Sequence, residues 1–395
     1  MASVVSLKHR YATRFILPGR REAACTCVAH RGSSEIDQFC LRVARDVIGV
    51  RAFTEAVRLV RDERWTVSAN GGSTGQRECQ LSNSRQTVAV VGMGAIGSVA
   101  AEAIDPDRYE IISCRRSTHQ PMRVVRDGVS HRVPGRVASD PASVNPVDWV
   151  ILSTKAVNDP RAWMDRLVGP QTKVAVLQNG IDLRERAQRW APPAQVLPVT
   201  VTMAAERTGV DEVTVVHTNE LVTEATALGT QFAAMFGPQL RVRGAVDYLA
   251  ESWRKLMVNV VVNSLTTITG GSAVDCVNET LLPTTRTMLQ EVLLVAERKG
   301  VHLRWSEVDD TVGRIEQIGP HLSSMQMDFR LGRPMELHFV TGAVIENADS
   351  VGADVPVIRA VHALLVQLAS TPTVSAQPGL RATDPVEVDV ALSSR

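Results

Sequence analysis

The residues whose types and spacing point most directly to chemistry are one lysine and two asparagines in the second half of the chain. Lys255, Asn259 and Asn263 follow one another at intervals of four residues within a mostly apolar stretch. At roughly 100° per residue, such positions lie along one face of an α-helix. An ammonium and two amides in apolar surroundings need hydrogen-bonding partners. The spacing alone leaves two interpretations open, a satisfied polar seam between helices or domains and a functional site.

A second candidate is a glycine-rich loop that follows the apolar, β-branched run Thr87–Val91 and precedes a helical stretch. This context is typical of a dinucleotide-binding loop. The first glycine permits a tight turn, the second lets the backbone approach a pyrophosphate, and the third lets the helix pack near the strand. The helix N-terminus then offers free N–H groups to the phosphates. The predicted cofactor-binding residues of this loop are Gly92, Gly94, Ala95, Ile96 and Gly97.

The end of the next predicted strand bears on the choice between NAD and NADP. An acidic residue at this place binds the ribose 2′-hydroxyl of NAD, whereas an arginine accommodates the 2′-phosphate of NADP. This chain has Arg115 and Arg116 there and no acid. A guanidinium is a good bidentate partner for phosphate. We therefore expect NADPH as the cofactor, with two merely solvated arginines as the alternative.

These candidate residues need a framework of strands and helices to position them. Short apolar strands alternate with helical stretches up to about residue 201, which predicts a parallel α/β sheet. The predicted strands cover residues 87–91, 109–113, 149–153, 174–177 and 196–201. Helical periodicity follows at residues 249–269, 279–299, 306–317, 336–350 and 355–368. The sequence thus predicts an α/β fold with an N-terminal Rossmann-type parallel-sheet domain followed by an all-helical C-terminal domain.

Domain boundaries follow from the same patterns. Residues 86–247 form the expected NADP-binding Rossmann domain, 248–372 the helical substrate and catalytic domain, and 373–395 a flexible tail. Residues 1–85 form an expected extension, partly helical over 35–64 or disordered, outside the functional core. It is interpretable as an appended helical segment, a targeting sequence, or residues added by a start codon assigned too far upstream. The last interpretation is favoured. The excess of Arg over Lys is typical of GC-rich bacterial genomes, which argues against a transit peptide.

Composition excludes several classes of function. The net charge is +1 and aromatic residues make up 4%, so neither a basic field nor a base-stacking surface for nucleic acid is expected. No apolar run approaches the roughly 20 residues that span a bilayer. Six cysteines, with Cys25 and Cys27 the one close pair, indicate neither a disulfide scaffold nor a zinc site. We expect a cytoplasmic protein without a metal site, and a homodimer is allowed.

From about Gln86 to Leu368 the chain resembles the ketopantoate reductase (2-dehydropantoate 2-reductase) family. Residues 253–266, within the helix predicted over 249–269, match the family signature W-x-K-L-x-x-N-x-x-x-N-x-L-T. The combination is far more specific than any one motif. The other matching segments are the glycine loop, Leu152-Ser153-Thr154-Lys155-Ala156, Gln178-Asn179-Gly180, and Ser323-Ser324-Met325 with Asp328 and Glu336.

The resemblance implies a role for each matching residue. Lys255 would be the general acid that protonates a substrate carbonyl oxygen as hydride arrives at carbon, and Glu336 would bind the substrate and orient that lysine. Hydride transfer places negative charge on this oxygen, which a positioned ammonium stabilises. Desolvation would lower the lysine pKa, while Glu336 would oppose that shift. The implied substrate-binding residues are Asn259, Asn263, Ser324 and Asn179, and Lys155 and Asn179 would lie by the cofactor.

The resemblance therefore implies an NADPH-dependent oxidoreductase that reduces a 2-oxo acid to a 2-hydroxy acid, with 2-dehydropantoate to pantoate as the leading case. Two departures from the family pattern bear on the substrate. Ser264 stands where the family often has proline, and His338 replaces a common acid. The alternatives are a reductase of another 2-oxo acid with the same fold and a non-catalytic NADP-binding regulatory protein. The lysine argues against the latter because a sensor needs no general acid.

Overall fold

The computed structural model describes residues 24–28, 66–70, 85–116, 120–217 and 220–370. The chain divides into two compact units, Met1–Asn83 and Ser84–Arg395. In the first unit, strands β1 (Ala24–Val28) and β2 (Thr66–Asn70) pair antiparallel. The helical segment predicted for 35–64 and the tail predicted for 373–395 lie outside the described residues.

The second unit contains twelve strands among its described residues. They form an eight-stranded sheet and a smaller four-stranded sheet. The strands are β3 (Gln86–Val91), β4 (Tyr109–Cys114), β5 (Arg123–Arg126), β6 (Val129–Arg132), β7 (Arg136–Ala138), β8 (Trp149–Leu152), β9 (Lys173–Val176), β10 (Val196–Val201), β11 (Ala204–Arg207), β12 (Glu212–His217), β13 (Glu220–Glu224) and β14 (Arg241–Ala245).

The larger sheet has the order β7-β4-β3-β8-β9-β10-β13-β14. Its first six strands are parallel throughout, and β13 pairs antiparallel with β10. Numbered along the chain, these six strands run 3-2-1-4-5-6, which is the Rossmann order. The predicted fold class is confirmed, and the five predicted strands are present within one residue of their expected ends.

Alternate residues of β3 explain why this strand is apolar throughout. Val88 and Val90 belong to one apolar cluster, whereas Ala89 and Val91 belong to another. The sheet is therefore buried on both faces, and a strand in this position must be apolar on both sides. The β-branched run that identified this strand in the sequence is a direct consequence of its place in the middle of the sheet.

The four-stranded sheet, in the order β11-β12-β5-β6, was not predicted. Its outer strand β6 is exposed along its whole length, and β11 is exposed at three of four residues. Such short strands lack a continuous buried face, so they carry little hydrophobic periodicity for sequence analysis to detect.

Ten α-helices are described in the second unit. The helical C-terminal part is organised around α5, which packs against α6, α7, α8 and α10. None of the described helices is long and apolar enough to cross a membrane. The helices are α1 (Ala95–Ala103), α2 (Arg161–Leu167), α3 (Leu183–Ala187), α4 (Ala227–Ala233), α5 (Tyr248–Thr269), α6 (Leu282–Arg298), α7 (Glu307–Ile318), α8 (Ser324–Arg330), α9 (Thr341–Val351) and α10 (Pro356–Ser370).

Helix α5 carries the predicted polar stripe, and its ends are set by local sequence. Asp247 caps the N-terminus by accepting a hydrogen bond from Ala250 N, and Gly270 ends the helix with a φ of 77°. Trp253 and Met257 are among its fully buried side chains. Burial of each such side chain contributes about 1.5–3 kcal/mol. The helix that carries the stripe is thus anchored by its apolar faces.

The predicted helix over residues 336–350 begins later than expected. Leu337–Phe339 form a single 3-10 turn, and α9 starts at Thr341. Glu336 therefore lies in a connection before this turn, where its side chain is buried. Its place outside a regular helix allows it to reach the ends of the strands of the Rossmann sheet.

Candidate active site

The glycine loop has the steric requirements of a close-approach turn. Gly92 has a φ of +104°, and a Cβ there would lie 2.5 Å from the backbone nitrogen of Thr154. A Cβ on Gly97 would lie 2.2 Å from the carbonyl oxygen of Gly92. A Cβ on Gly94, by contrast, would meet no atom within 4 Å. The first and third glycines are thus required by the fold, and the space beside the second is open to a ligand.

Helix α1 begins directly after Gly94, and no side chain caps its N-terminus. Ala95 and Ile96 are half-buried in its first turn. The uncapped N–H groups and the positive end of the helix dipole suit a phosphate at this position. The residues of this loop therefore fit a dinucleotide.

The two arginines after β4 have different environments. Arg115 is buried, and its Nη2 donates to Asp211 Oδ1 at 2.7 Å while its Nη1 donates to the carbonyl oxygen of Gln120 at 3.0 Å. Arg116 is exposed. The two arginines are equivalent candidates in the sequence. In the structure only Arg115 is buried and paired with Asp211, whereas Arg116 is exposed.

Lys155 lies after β8 and connects the Rossmann sheet with the helical part. Its Nζ is 2.6 Å from Asp328 Oδ2 and 3.8 Å from Glu336 Oε2. Both carboxylates are buried, whereas the lysine side chain keeps 40% of its surface exposed. Residues that are 173 positions apart in the sequence are thus joined at the carboxyl ends of the parallel strands, where ligands bind in open α/β sheets.

A hydrogen-bonded chain runs through Glu336. Its Oε1 accepts from the backbone N–H of Ala156 at 2.7 Å, and its Oε2 accepts from Asn179 Nδ2 at 2.7 Å. Asn259 Nδ2 in turn donates to Asn179 Oδ1 at 3.4 Å. Because a carboxylate only accepts, the amide nitrogen of Asn179 must face Glu336 and its oxygen must face α5. The orientation of this amide is therefore determined by its neighbours.

Lys255 lies one helical turn before Asn259 and lines a cleft between α5 and the ends of β9 and β10. The other residues of this cleft include Gln178, Asn179 and Thr200. Lys255 keeps some exposed surface, but its ammonium is deep enough for burial to lower its pKa. None of the described residues forms an ion pair or a hydrogen bond with this ammonium. Within the described part of the chain it therefore has no counter-ion, and burial disfavours its charged form.

The structure brings only part of the predicted set into direct contact. Glu336 contacts Asn179, Ala156 and Lys155, and no contact between described residues joins it to Lys255. Its predicted action on the lysine would have to pass through Asn179 and Asn259.

Asn263 and Ser324 are placed apart from the hydrogen-bonded chain. Asn263 is buried, yet its side chain has no hydrogen-bonding partner among the described residues. Ser324 is exposed in the first turn of α8. The neighbouring Ser323 caps that helix by accepting from Gln326 N at 3.1 Å. Both predicted residues thus retain polar groups that are free to bind a ligand.

Sequence reasoning missed two residues of this region. Asp328 appeared only as part of a motif, although it makes the shortest contact with Lys155. Arg186 on α3 was not singled out, because nothing in its spacing distinguishes it from a surface arginine. Its contact with the carbonyl oxygen of Asn179 depends on tertiary packing. Among the described residues, no group of three or more His, Cys, Asp or Glu side chains could hold a metal ion.

Comparison with known proteins places these observations in one family. The family model "Ketopantoate reductase PanE/ApbA" matches residues 88–229, and "Ketopantoate reductase PanE/ApbA C terminal" matches residues 247–369. The 2-dehydropantoate 2-reductase of Mycobacterium tuberculosis is 30% identical over 295 residues, which cover 72% of this chain and 98% of that protein. The enzyme of the same name from Caulobacter vibrioides is 29% identical over 288 residues, covering 71% of this chain and 98% of that protein.

Solved structures show the same relationship. The crystal structure of a PanE/ApbA family ketopantoate reductase from Ralstonia eutropha superposes with a TM-score of 0.65 at 26% identity, covering 72% of this chain and 98% of that one.

Proposed function

This chain belongs to the PanE/ApbA ketopantoate reductase family, and on that premise we propose that it reduces a 2-oxo acid to a 2-hydroxy acid with NADPH. Its relatives are oxidoreductases that act on a CH–OH group. The observation that carries the proposal is the position of the Lys255 ammonium, which lines the cleft beside Asn179 and has no partner among the described residues. The leading reaction is the reduction of 2-dehydropantoate to pantoate, because 2-dehydropantoate is the substrate in the name of its relatives.

Lys255 is the proposed general acid. Its Nζ donates a proton to the carbonyl oxygen of the substrate, which becomes the hydroxyl of the product. An acid works best when its pKa lies near the working pH, and burial moves the pKa of Lys255 in that direction. The ammonium also stabilises the negative charge that develops on this oxygen, and the dry surroundings strengthen that interaction.

The cofactor would be held by the glycine loop and by the polar residues after β8 and β9. NADPH, when bound, supplies the hydride. The pyrophosphate fits the open side of Gly94 and the uncapped start of α1. Arg116 is the better placed of the two arginines for the 2′-phosphate, because the guanidinium of Arg115 is already paired with Asp211. Lys155 is proposed to lie by the cofactor ribose.

The remaining polar residues are proposed to hold the substrate. Asn259, Asn263 and Ser324 would bind its carboxylate and hydroxyl, and Asn179 would lie near the reacting carbonyl. The unpartnered amide of Asn263 supports this role, because a buried polar group needs a partner. Glu336 would orient Asn179 directly and Asn259 through Asn179, and this hydrogen-bonded chain ends one helical turn from Lys255.

The two departures from the family pattern lie away from the cleft around Lys255. Ser264 is fully buried within α5, and His338 is exposed with its Nε2 4.0 Å from Glu346. Neither is among the residues that line the described cleft. Ser264 nevertheless adjoins Asn263, and His338 lies two residues after Glu336, so a reductase of another 2-oxo acid stays the alternative.

A screen of NADPH oxidation against a panel of 2-oxo acids tests the proposal. We expect turnover with 2-dehydropantoate to exceed that with smaller or aromatic 2-oxo acids, and Lys255→Ala to abolish it while NADPH still binds. Faster turnover of another 2-oxo acid would replace the proposed substrate. NADPH binding without turnover of any of them would favour a regulatory protein. The homodimer and the cytoplasmic location remain predictions, which sedimentation and cell fractionation test.

A further inference from the structure

Arg186 lies on the short helix α3, which packs against β9 and β10 in the interior of the larger sheet. Its side chain is only 13% exposed. Its Nη2 donates to the carbonyl oxygen of Asn179 at 2.6 Å, and its Nη1 donates to Gln178 Oε1 at 3.3 Å. The guanidinium therefore holds both the backbone and a side chain of the turn that presents Asn179 to the cleft.

The other side of the same guanidinium contacts the helical part of the protein. Its central carbon lies 4.6 Å from the centroid of the Phe339 ring. Phe339 closes the 3-10 turn after Glu336, and its backbone N–H donates to the Glu336 carbonyl oxygen at 3.1 Å. A cation over an aromatic face is attracted by the ring quadrupole. Arg186 thus joins the Asn179 turn to the segment that carries Glu336.

The surrounding residues are shaped to admit this guanidinium. Gly180 has a φ of +109°, and a Cβ there would lie 3.0 Å from Arg186 Nη2 and 3.1 Å from Asp182 Oδ1. Burial lowers the pKa of Arg186, while first Asp182 and then Glu336 oppose that change. A largely buried cation carries a desolvation penalty that its partners only partly repay. Stability alone is therefore a weak reason for placing an arginine here.

We propose that Arg186 is a positioning residue for the reduction, which fixes the Asn179 amide between Asn259 and Glu336 while Lys255 delivers its proton. The proposal rests on the proposed function. Arg186 touches neither of the reacting groups, so it acts through the turn and the aromatic ring that it joins. Loss of the guanidinium releases the turn on one side and Phe339 on the other, and the amide loses its defined orientation.

Arg186→Ala, Arg186→Lys and the control Arg189→Ala test this role. Arg189 is an exposed arginine just beyond the same helix, stacked on Trp190. Its Nε donates to the backbone carbonyl oxygen of Arg186 at 3.0 Å, so Arg189→Ala removes a neighbouring guanidinium that does not hold the Asn179 turn. We expect Arg186→Ala to lower kcat by about 10- to 100-fold, the effect of a small misplacement of a catalytic group. The Kd for NADPH should rise by a smaller factor than the fall in kcat, because the glycine loop is untouched and only the turn that carries Asn179 is loosened. Free guanidinium ion should restore part of kcat.

The lysine variant keeps the charge but loses the planar fork, so we expect partial activity. The control variant should match the wild type. An Arg186→Ala variant with wild-type kcat would overturn the proposal, as would an equal loss in both alanine variants.

A second measurement does not depend on turnover. Hydrogen exchange followed by mass spectrometry should show faster exchange at residues 178–180 and 336–340 in Arg186→Ala, and no change in Arg189→Ala. Unchanged exchange in both segments would refute the positioning role even if the wild type reduces no 2-oxo acid. A wild type without turnover but with this exchange pattern would overturn the proposed reaction and leave the joining role of Arg186 intact.

Discussion

Replacing Lys255 with methionine separates the chemistry of the cleft from the stability of the fold. Methionine has a similar length and needs no hydrogen-bonding partner, so it fills the same space without a charge. A general acid contributes about 10²–10⁴-fold to the rate. At about 1.4 kcal/mol per factor of ten, its loss raises the barrier by about 3–5 kcal/mol. We expect kcat to fall within that range and the Kd for NADPH to change little.

The same substitution should make the folded protein more stable. Burial lowers the pKa of Lys255 below its ordinary value of 10.5, and no described carboxylate compensates for it. Each unit of such lowering corresponds to about 1.4 kcal/mol against the charged folded state. The unfolded chain then binds more protons than the folded one, so wild-type stability rises with pH between the folded and unfolded pKa values.

The gain in the free energy of unfolding from Lys255→Met is therefore full at pH values below the folded pKa of Lys255. It shrinks as pH rises from the folded pKa toward 10.5. Urea unfolding at several pH values measures it, and NADPH oxidation measures kcat. Lys299→Met is the matched control, because Lys299 is exposed. We expect the control to keep wild-type kcat and a stability within about 0.5 kcal/mol.

Two results would refute this reasoning. Wild-type turnover in Lys255→Met would show that the ammonium is not the acid. A methionine variant that is less stable than the wild type even at pH values below the folded pKa would show that the ammonium is paired in the folded protein.

Three further predictions concern the cofactor loop, the arginines and the buried glutamate. Gly94→Ala should fold normally and lose NADPH affinity. Gly97→Ala should lower the melting temperature, because a Cβ at Gly97, unlike one at Gly94, would overlap the backbone. Equal melting temperatures of the two variants would contradict this. Arg116→Ala should raise the Kd for NADPH about tenfold and leave the Kd for NADH unchanged, as expected for loss of one exposed phosphate contact. A larger change from Arg115→Ala would assign the 2′-phosphate to Arg115 instead. Glu336→Gln should lower kcat about 10- to 100-fold with little change in melting temperature. The glutamine amide keeps the shape of the side chain, but only one of its two terminal atoms can accept a hydrogen bond. Unchanged kcat would remove Glu336 from the site.

Local signals explain how much of the fold could be predicted. The run before the glycine loop is apolar because β3 is buried on both of its faces. The spacing of Lys255, Asn259 and Asn263 predicted one helix, and α5 contains all three. Strand β6 was missed because an exposed strand of four residues has neither a buried face nor a distinctive period.

The amino-acid sequence by itself determined five buried strands of the larger sheet, the helical C-terminal part, the glycine loop and the polar stripe, because periodicity and backbone sterics act over a few residues. Only the tertiary structure decided which distant side chains meet. It paired Lys155 with Asp328, Arg115 with Asp211, and Glu336 with Asn179 rather than with Lys255. Such pairings depend on how elements far apart in the chain pack, and that packing leaves no local pattern in the sequence.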